Sequence, residues 1–402
     1  MYKRLDLNKY IYQVLGKVLP QILSLLLNSL FIKYIGIDNF GDYNIVLLYF
    51  TALFSLLTGG SNIIYQKIHN VNNFLNIIYL KIIAFILIII PLLLILNSMY
   101  NYSFYTIIFF SLGFLMQSIV EVYLVTFRII DKDKYVLFPK VLQLLSLLVL
   151  LFIIKPNDLY TFSYLFLLSW FIVLLFYSKI LFSHIHLKNT NVKIFFIQNR
   201  SAILYLGFTI FATQVYVNMD FLVLESFYGS NVAGSYKVSL ILSQSFLSVV
   251  GAFSIIYLSK LSKINIDTFK RKQQLEKVIL SQVLLVSIVA ILFFLFSILT
   301  FEFLFNLLFK GLEKVFVTVS IILISASILN AYSMVYSYFL VSENQEKIIF
   351  IFTIYAIVLS IIISFILIPK YGLYGAVSTN ILIQLFLLLM YRYKVKKIME
   401  VI

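Results

Sequence analysis

The sequence predicts an all-α integral membrane protein with about twelve transmembrane helices, arranged as two lobes of six helices each. Hydrophobic residues make up 62% of the 402 residues and charged residues only 12%, whereas ordinary soluble domains are about a quarter charged. Apolar runs long enough to cross a membrane recur along the whole chain. The second half of the chain also echoes the first at a constant offset.

The composition excludes several classes of function. A chain this apolar has too little polar surface to cover a water-soluble globule, so membrane lipids must surround most of it. Cysteine is absent, which excludes disulfides and thiolate chemistry. The three histidines form no cluster at helical spacing, and no GxxxxGK[ST] phosphate loop is present. We therefore predict no enzyme, no metal site and no cofactor.

Twelve apolar runs are candidates for the spans, because about 20 residues are needed to cross the hydrocarbon core. The connections between them are short, so we predict no separate soluble domain. The runs lie at 11–34, 43–66, 75–97, 103–127, 136–154, 160–182, 201–226, 231–257, 278–300, 315–340, 347–368 and 373–393.

The basic residues predict the orientation, because cytoplasmic loops of membrane proteins carry an excess of Lys and Arg. With the N-terminus in the cytoplasm, 24 of the 31 Lys and Arg residues fall in cytoplasmic segments and five in outer ones. The other two, Lys17 and Lys237, lie in or near the membrane. We expect both termini in the cytoplasm. The net charge of +15 is then a topology signal, and we predict no nucleic-acid partner.

An internal repeat supports the two lobes. The stretch QVYVNMDFLVLESFYGSNVAGSY, which begins at Gln214, aligns without gaps on QILSLLLNSLFIKYIGIDNFGDY, which begins 193 residues earlier at Gln21. Four positions are identical, and two of them are glycines, which are scarce in this chain. Repeats of about half the chain length are common in membrane transporters. We place the lobes at 1–190 and 191–402.

The first span carries polar residues on one face. Gln13, Lys17, Gln21 and Asn28 step by four, four and seven residues, which is helical spacing. Pro20 lies among them and favours a kink. A lysine at this depth is costly without water or an anionic partner. We favour a helix that lines a cavity, although a stripe that only binds neighbouring helices is the alternative.

The seventh span repeats this pattern with Gln214, Asn218 and Asp220, and with Glu225 near its outer end. Lys237 opens the eighth span, so Asp220 or Glu225 could pair with it. Such a pair could neutralise charge only, or it could offer a carboxylate that titrates or binds a cation.

Glu121 is the third candidate for coupling or charge pairing. It lies in the inner third of the fourth span, at the depth expected for Lys17. A Lys17–Glu121 contact is therefore a hypothesis.

Three stretches resemble the polysaccharide flippases of the MATE-like superfamily: YIGIDNFGDYNIV, NMDFLVLESFYGSNVAGSYKVSLIL and IPKYGLYGAVSTNILIQL. The resemblance covers nearly the whole chain. In that family the first two helices of each lobe border a central cavity that opens alternately to either side.

The resemblance implies transport of undecaprenyl-pyrophosphate-linked oligosaccharide units across the bacterial cytoplasmic (inner) membrane, for O-antigen or capsule. It also implies partners, namely this lipid-linked substrate, membrane lipids and possible assembly proteins such as a polysaccharide polymerase. A cavity with Lys17 and Lys237 suits pyrophosphate or acidic sugars. No acidic residue lies in the first span, so ion coupling would depend on Asp220, Glu225 or Glu121.

Three alternatives remain open. A MATE-type antiporter for cationic drugs shares the fold, but more lysines than carboxylates in the cavity favour anions. A major-facilitator carrier lacks support, because QKIHNVNNFLN follows the second span where a charged Asp-Arg-rich loop is expected. An O-antigen polymerase, which is an enzyme, is expected to have a large outer loop, and none is evident.

Overall fold

The computed structural model describes residues 7–68, 71–100, 102–130, 132, 135, 138–156, 158–183, 192–261, 268–308, 314–343 and 345–401. Within these residues the regular structure is entirely helical. A 3-10 turn at Val71–Asn73 precedes the second of ten α-helices. The α-helices are α1 (Leu7–Ile68), α2 (Phe74–Tyr100), α3 (Phe104–Ile129), α4 (Phe138–Ile154), α5 (Leu159–Phe182), α6 (Val192–Leu261), α7 (Thr268–Leu308), α8 (Lys314–Ser342), α9 (Glu346–Tyr371) and α10 (Leu373–Val401).

Most of these helices are suited to a membrane. In the described part of the chain, nine are long and apolar enough to cross one, and α4 is a shorter apolar helix of 17 residues. Large apolar side chains are exposed along α2 and α7, for example Leu94, Leu292 and Leu299. Such outer surfaces are stable in lipid and costly in water. The chain is a multi-pass membrane protein.

The described residues form ten α-helices where we predicted about twelve separate spans. All predicted spans overlap one of the helices, but the first and second spans are joined in α1, and the seventh and eighth in α6. The connections between those spans are breaks at single glycine residues. The polar connection predicted before the ninth span is also partly helical, because α7 begins at Thr268.

The two breaks lie at the glycines that the repeat aligns. Gly36 in α1 has φ 85° and ψ 167°, and Gly229 in α6 has φ 82° and ψ 170°. This backbone region is essentially restricted to glycine, because a Cβ would clash with the residue's own backbone. The nearly identical dihedral angles confirm that the two stretches are structural repeats.

The chain divides into two compact units. The first contains Met1–Gly16 and Leu30–Gln214, and the second contains Lys17–Ser29 and Val215–Ile402. The short segment Lys17–Ser29 thus belongs with the C-terminal helices. The lobes of 1–190 and 191–402 stay a prediction, whereas the first unit described here extends to Gln214.

In the first unit, the part of α1 after Gly36 packs closely against the start of α6. A Cβ at Gly60 would lie 2.6 Å from the Ile203 carbonyl oxygen, and one at Gly207 only 2.4 Å from that of Leu56. Glycines therefore let the two backbones approach. The interior of this unit is rich in aromatic rings from α1, α3 and α5, namely Phe31, Tyr43, Phe110, Phe114, Phe162 and Phe166.

In the second unit, α10 packs against α8 and α9, and α7 packs against α8. The core that they share includes Phe246, Val335, Phe339, Ile383, Leu387 and Tyr391. An ion pair of 2.7 Å between Arg271 Nη2 and Glu343 Oε1 joins the start of α7 to the end of α8. These contacts hold α6, α8 and α10 side by side, and the candidate site lies among them.

Candidate functional site

The break at Gly229 separates two groups of polar side chains on α6. Asn218 and Asp220 precede it, and Tyr236 and Lys237 follow it. All four belong to the second unit. The break lets both sides of α6 contribute to one site, together with Asn380 from α10.

Asp220 is the centre of a buried hydrogen-bond network, and only 2% of the residue is exposed. Its Oδ2 accepts hydrogen bonds from the Tyr236 hydroxyl at 2.5 Å and from Asn380 Nδ2 at 3.0 Å. Its Oδ1 accepts from the Phe221 backbone N–H at 2.9 Å. Three donors thus converge on one carboxylate, and such hydrogen bonds stabilise its charged form in an apolar surrounding.

Lys237 is held separately from this carboxylate. Its Nζ donates a hydrogen bond to Asn218 Oδ1 at 2.7 Å and lies 5.4 Å from the centre of the Phe221 ring. An ammonium group has three donors, and among the described residues one acceptor, Asn218 Oδ1, occupies one of them. The residue is also partly exposed. Lys237 therefore has donors left for a ligand, whereas Asp220 is enclosed by the protein.

A small polar cavity lies beside the network, between α6, α8 and α10. Its volume is about 10 Å³, which is room for about one water molecule. Its polar lining consists of Ser243, Gln244, Ser327, Asn330, Asn380 and Gln384. Among the described residues, the buried Gln384 Oε1 accepts no hydrogen bond, so a water molecule in the cavity would satisfy it.

The structure brings together three of the predicted site residues, Asn218, Asp220 and Lys237. Lys237 Nζ donates a hydrogen bond to Asn218 Oδ1, and its pairing with Asp220 or Glu225 stays a prediction. Glu225 is partly buried, one to two turns beyond Asp220 on the same helix.

Other predicted residues lie elsewhere. Gln214 is partly buried at the end of the first unit, and Asn28 is partly buried in the short segment that belongs to the second. Glu121 lies in the first unit and is exposed. The side chains of Lys17 and Gln21 lie outside the described residues, and so does the hypothesised Lys17–Glu121 contact.

Sequence analysis did not identify Asn380, Tyr236 or Gln384 as part of this site. Tyr236 is fully buried and donates a hydrogen bond to Asp220. Asn380 and Gln384 are separated by one helical turn in an otherwise apolar helix, and this spacing was the available signal.

The repeat conserves the break but not the charges. Leu25, Leu27 and Asn44 occupy the places of Asn218, Asp220 and Lys237 in the first copy. Asn44 is buried and donates to the Phe40 carbonyl oxygen at 2.7 Å. Tyr43, the counterpart of Tyr236, lies among aromatic rings. The first-copy counterparts of Asn218, Asp220 and Lys237 therefore carry no charge.

Known proteins resemble this chain in structure rather than in sequence. No family model matches the sequence, and no curated protein matches it either. A multidrug resistance MATE family transporter of the MOP superfamily, in an outward-facing conformation, matches with a TM-score of 0.72 and 15% identity over 96% of this chain and 94% of that one. A MATE in complex with MaD3S matches with a TM-score of 0.70 and 16% identity over 96% and 95% of the two chains.

A third solved structure is a MOP superfamily transporter from Pyrococcus furiosus, whose binding pocket of reversed polarity suggests a different function. It matches with a TM-score of 0.70 and 16% identity over 96% of this chain and 94% of that one. Matches that cover nearly the whole of each chain leave no large part of the fold unaccounted for. The chain has the fold of the MATE transporters of the MOP superfamily.

Proposed function

We propose that this protein is a transporter that works by alternating access and flips undecaprenyl-pyrophosphate-linked oligosaccharide units across the bacterial cytoplasmic membrane. The fold supports transport, and the sequence resemblance to polysaccharide flippases supports the substrate class. The products would serve the assembly of O-antigen or capsular polysaccharide. A polysaccharide polymerase and other assembly proteins are then the natural partners.

The main support for this substrate class is that Lys237, rather than Asp220, is available to a ligand in the second unit. Among the described residues, the enclosed Asp220 carboxylate accepts three hydrogen bonds, whereas the partly exposed Lys237 ammonium donates one. A ligand at this network meets a positive charge with unused donors. An anionic group such as a pyrophosphate or an acidic sugar fits it, and a cationic drug is repelled.

A MATE-type antiporter is the second candidate, because two of the three structures described above are MATE transporters, and one of these two is a multidrug resistance protein. In that case Asp220 would bind the coupling ion, and its enclosure would open during the cycle. In the flippase, Asp220, Glu225 and Glu121 are the candidates for ion coupling, and Asp220 is favoured by its position in the network.

Deleting the gene and analysing the lipid-linked oligosaccharides and the surface glycan tests the proposal. We expect complete repeat units to accumulate on the inner leaflet and the surface polymer to disappear. Single units that reach the surface without polymerisation would indicate a polymerase instead. Normal glycan with a changed sensitivity to cationic drugs would indicate an antiporter, and the flippase proposal would be dropped.

We also propose twelve membrane crossings with both termini in the cytoplasm. If α1 and α6 each cross twice, before and after their glycine breaks, and α4 crosses once, the ten helices account for twelve crossings. An even number of crossings places both termini on one side, and the excess of Lys and Arg favours the cytoplasm.

The absence of cysteine makes this topology directly testable. We expect a membrane-impermeant maleimide to label Lys314→Cys, at the predicted outer end of α8, in intact spheroplasts. Lys396→Cys, near the end of α10, should be labelled only after permeabilisation, because the predicted cytoplasmic side is then exposed. The parent chain is the unlabelled control. Labelling of Lys396→Cys in intact spheroplasts contradicts the proposed orientation.

A further inference from the structure

The exposed face of α10 changes from apolar to basic towards the end of the helix. Leu382, Leu385 and Leu389 are between 38% and 56% exposed, and Arg392 and Lys396 are exposed after them. These five positions follow one another at steps of three or four residues, so they lie on one face of the helix. The lipid-facing stripe of α10 therefore continues without a break into a basic surface.

The opposite face of α10 stays packed along this basic stretch. Tyr391, Val395 and Met399 are buried, and they belong to the same core cluster of the second unit as Leu275 of α7. The helix is thus held by tertiary contacts as far as Met399. Because the backbone is fixed there, the basic side chains on the exposed face are held at a defined depth.

Two exposed tyrosines mark that depth. Tyr374 and Tyr393, near the two ends of α10, are 51% and 64% exposed. The 19 residues that separate them span about 28 Å along a helix, close to the thickness of the hydrocarbon core. Tyrosine is enriched at both membrane–water interfaces. Lys396 and Lys397 lie about one turn beyond Tyr393, and their ammonium groups therefore reach the level of the phospholipid phosphates.

The charges on this surface are not neutralised by the part of the chain that the structure describes. Within it, Arg392, Lys396 and Lys397 form no hydrogen bond and no ion pair. Glu400 is exposed one turn after Lys396, and it too forms no ion pair with a described residue. Three cations and one anion leave a net charge of +2 on this face.

The start of α9 adds a lysine at the same level. The rings of Phe352 and Tyr391 lie 5.8 Å apart, which places the start of α9 beside the end of α10. The two helices are joined at Gly372 and pack against each other in opposite directions. Lys347 is exposed five residues before Phe352, and Lys396 is exposed five residues after Tyr391. Each lysine therefore lies about 7.5 Å beyond that contact, towards the same end of the unit.

We propose that this end of α10, with Lys347 of α9 at the same level, is a binding surface for anionic phospholipids. The acyl chains would lie along the stripe from Leu382 to Leu389, and the phosphate would meet Arg392 and Lys396. Continuity with a lipid-facing stripe favours a lipid over an acidic protein, and basic clusters directly beside a transmembrane helix attract anionic headgroups. The surface lies wholly in the second unit and does not depend on the proposed flippase activity.

Two tryptophan reporters on α10 test the proposal in the full chain. Trp170→Phe removes the single tryptophan and serves as the background. Tyr393→Trp places a reporter at the basic end of α10, and Tyr374→Trp places one at the other end. The nanodiscs contain phosphatidylglycerol and phosphatidylcholine, and one lipid at a time carries bromine atoms high in its acyl chains, which quench nearby tryptophan emission.

We expect the Tyr393→Trp emission to show a preference for phosphatidylglycerol over phosphatidylcholine of about fivefold or more, since each basic residue near the surface contributes about this factor. The preference reported by Tyr374→Trp should be clearly smaller, because no basic residue precedes Arg392 in α10. Raising the salt from 0.1 to 1 M should weaken the preference, because the Debye length falls from about 10 to about 3 Å.

Charge variants separate binding at this surface from the overall charge of the chain. Lys396→Gln combined with Lys397→Gln should lower the preference at the Tyr393→Trp reporter to about one. Lys33→Gln combined with Lys370→Gln removes the same charge from exposed lysines on α1 and α9. This control pair should leave the preference at the Tyr393→Trp reporter unchanged.

The proposal is overturned if the two reporters show equal preference or none, or if the preference survives Lys396→Gln with Lys397→Gln. An equal loss in the control pair also overturns it, because the net charge of the chain is then the cause. Should Trp170→Phe fail to fold, native mass spectrometry of the parent chain and of the same lysine variants counts the retained phosphatidylglycerol molecules. The parent and the control pair should then retain more of them than Lys396→Gln with Lys397→Gln, and equal retention refutes the proposal.

Discussion

Asp220→Ala is expected to abolish transport and to lower the free energy of unfolding by about 2–4 kcal/mol. The substitution leaves the Tyr236 hydroxyl and the Asn380 amide without their shared acceptor, Asp220 Oδ2, in an apolar interior. It also removes a carboxylate that interacts electrostatically with Lys237. Thermal or denaturant unfolding of the purified protein measures the stability, and surface glycan in a complemented deletion strain measures the transport.

Asp220→Asn separates the two effects, because asparagine keeps the shape of the side chain and one acceptor oxygen. We expect a smaller loss of stability, about 1 kcal/mol for the altered hydrogen bonds. Transport should still fall about tenfold or more, since a charge that favours one access state by about 1.4 kcal/mol changes its population tenfold. Full glycan synthesis with Asp220→Asn, at normal expression, would remove the Asp220 charge from the mechanism.

The repeat supplies the matched control. Tyr236→Phe removes the hydroxyl that binds Asp220 and should cost about 1–2 kcal/mol. Tyr43→Phe removes the same hydroxyl from the equivalent position in the first copy, where the described neighbours are aromatic rings, and should cost little. Combining Tyr236→Phe with Asp220→Ala should be less harmful than the sum, because both remove the same hydrogen bond. Additive effects contradict the network.

Gly36→Ala and Gly229→Ala form the second prediction, and each is expected to lower the free energy of unfolding by about 1–3 kcal/mol. No atom lies within 4 Å of the position that a Cβ would take at either glycine, so the cost is not a clash with neighbours. It arises from the backbone, because φ above 80° with ψ near 170° is unfavourable for any L-residue with a side chain. The double variant should lose both folding yield and transport.

Two further substitutions test this backbone explanation: Gly229→Asn, and Gly59→Ala at a glycine with helical geometry. Asparagine tolerates the left-handed helical region but not ψ near 170°, so Gly229→Asn should be as harmful as Gly229→Ala. Gly59→Ala lies on α1 in a helical segment, where its Cβ would lie 3.0 Å from Ile210 Cδ1 and 3.3 Å from Ile210 Cβ. Alanine's better helix propensity offsets part of that contact, so we expect a small effect. Normal yield and unfolding of Gly36→Ala and Gly229→Ala would refute the conformational explanation.

Composition and hydrophobic run length were sufficient to predict an all-helical membrane protein, because lipid leaves a chain few ways to satisfy its backbone hydrogen bonds. The repeat was also visible in the sequence, since Gly36 and Gly229 are required by a backbone conformation that other residues cannot adopt. Asn218, Asp220 and Lys237 could be selected because polar residues in a membrane span are costly and few.

Tertiary structure alone decided which of these residues act together. Asn380 is 160 positions from Asp220, and only the packing of α10 beside α6 brings its amide to the carboxylate. The same holds for Lys81, which lies in the predicted span 75–97 and which packing buries against Phe54. A sequence shows that a polar group is costly in a membrane, but its partners depend on which helix faces meet, and that is settled by contacts between residues far apart in the chain.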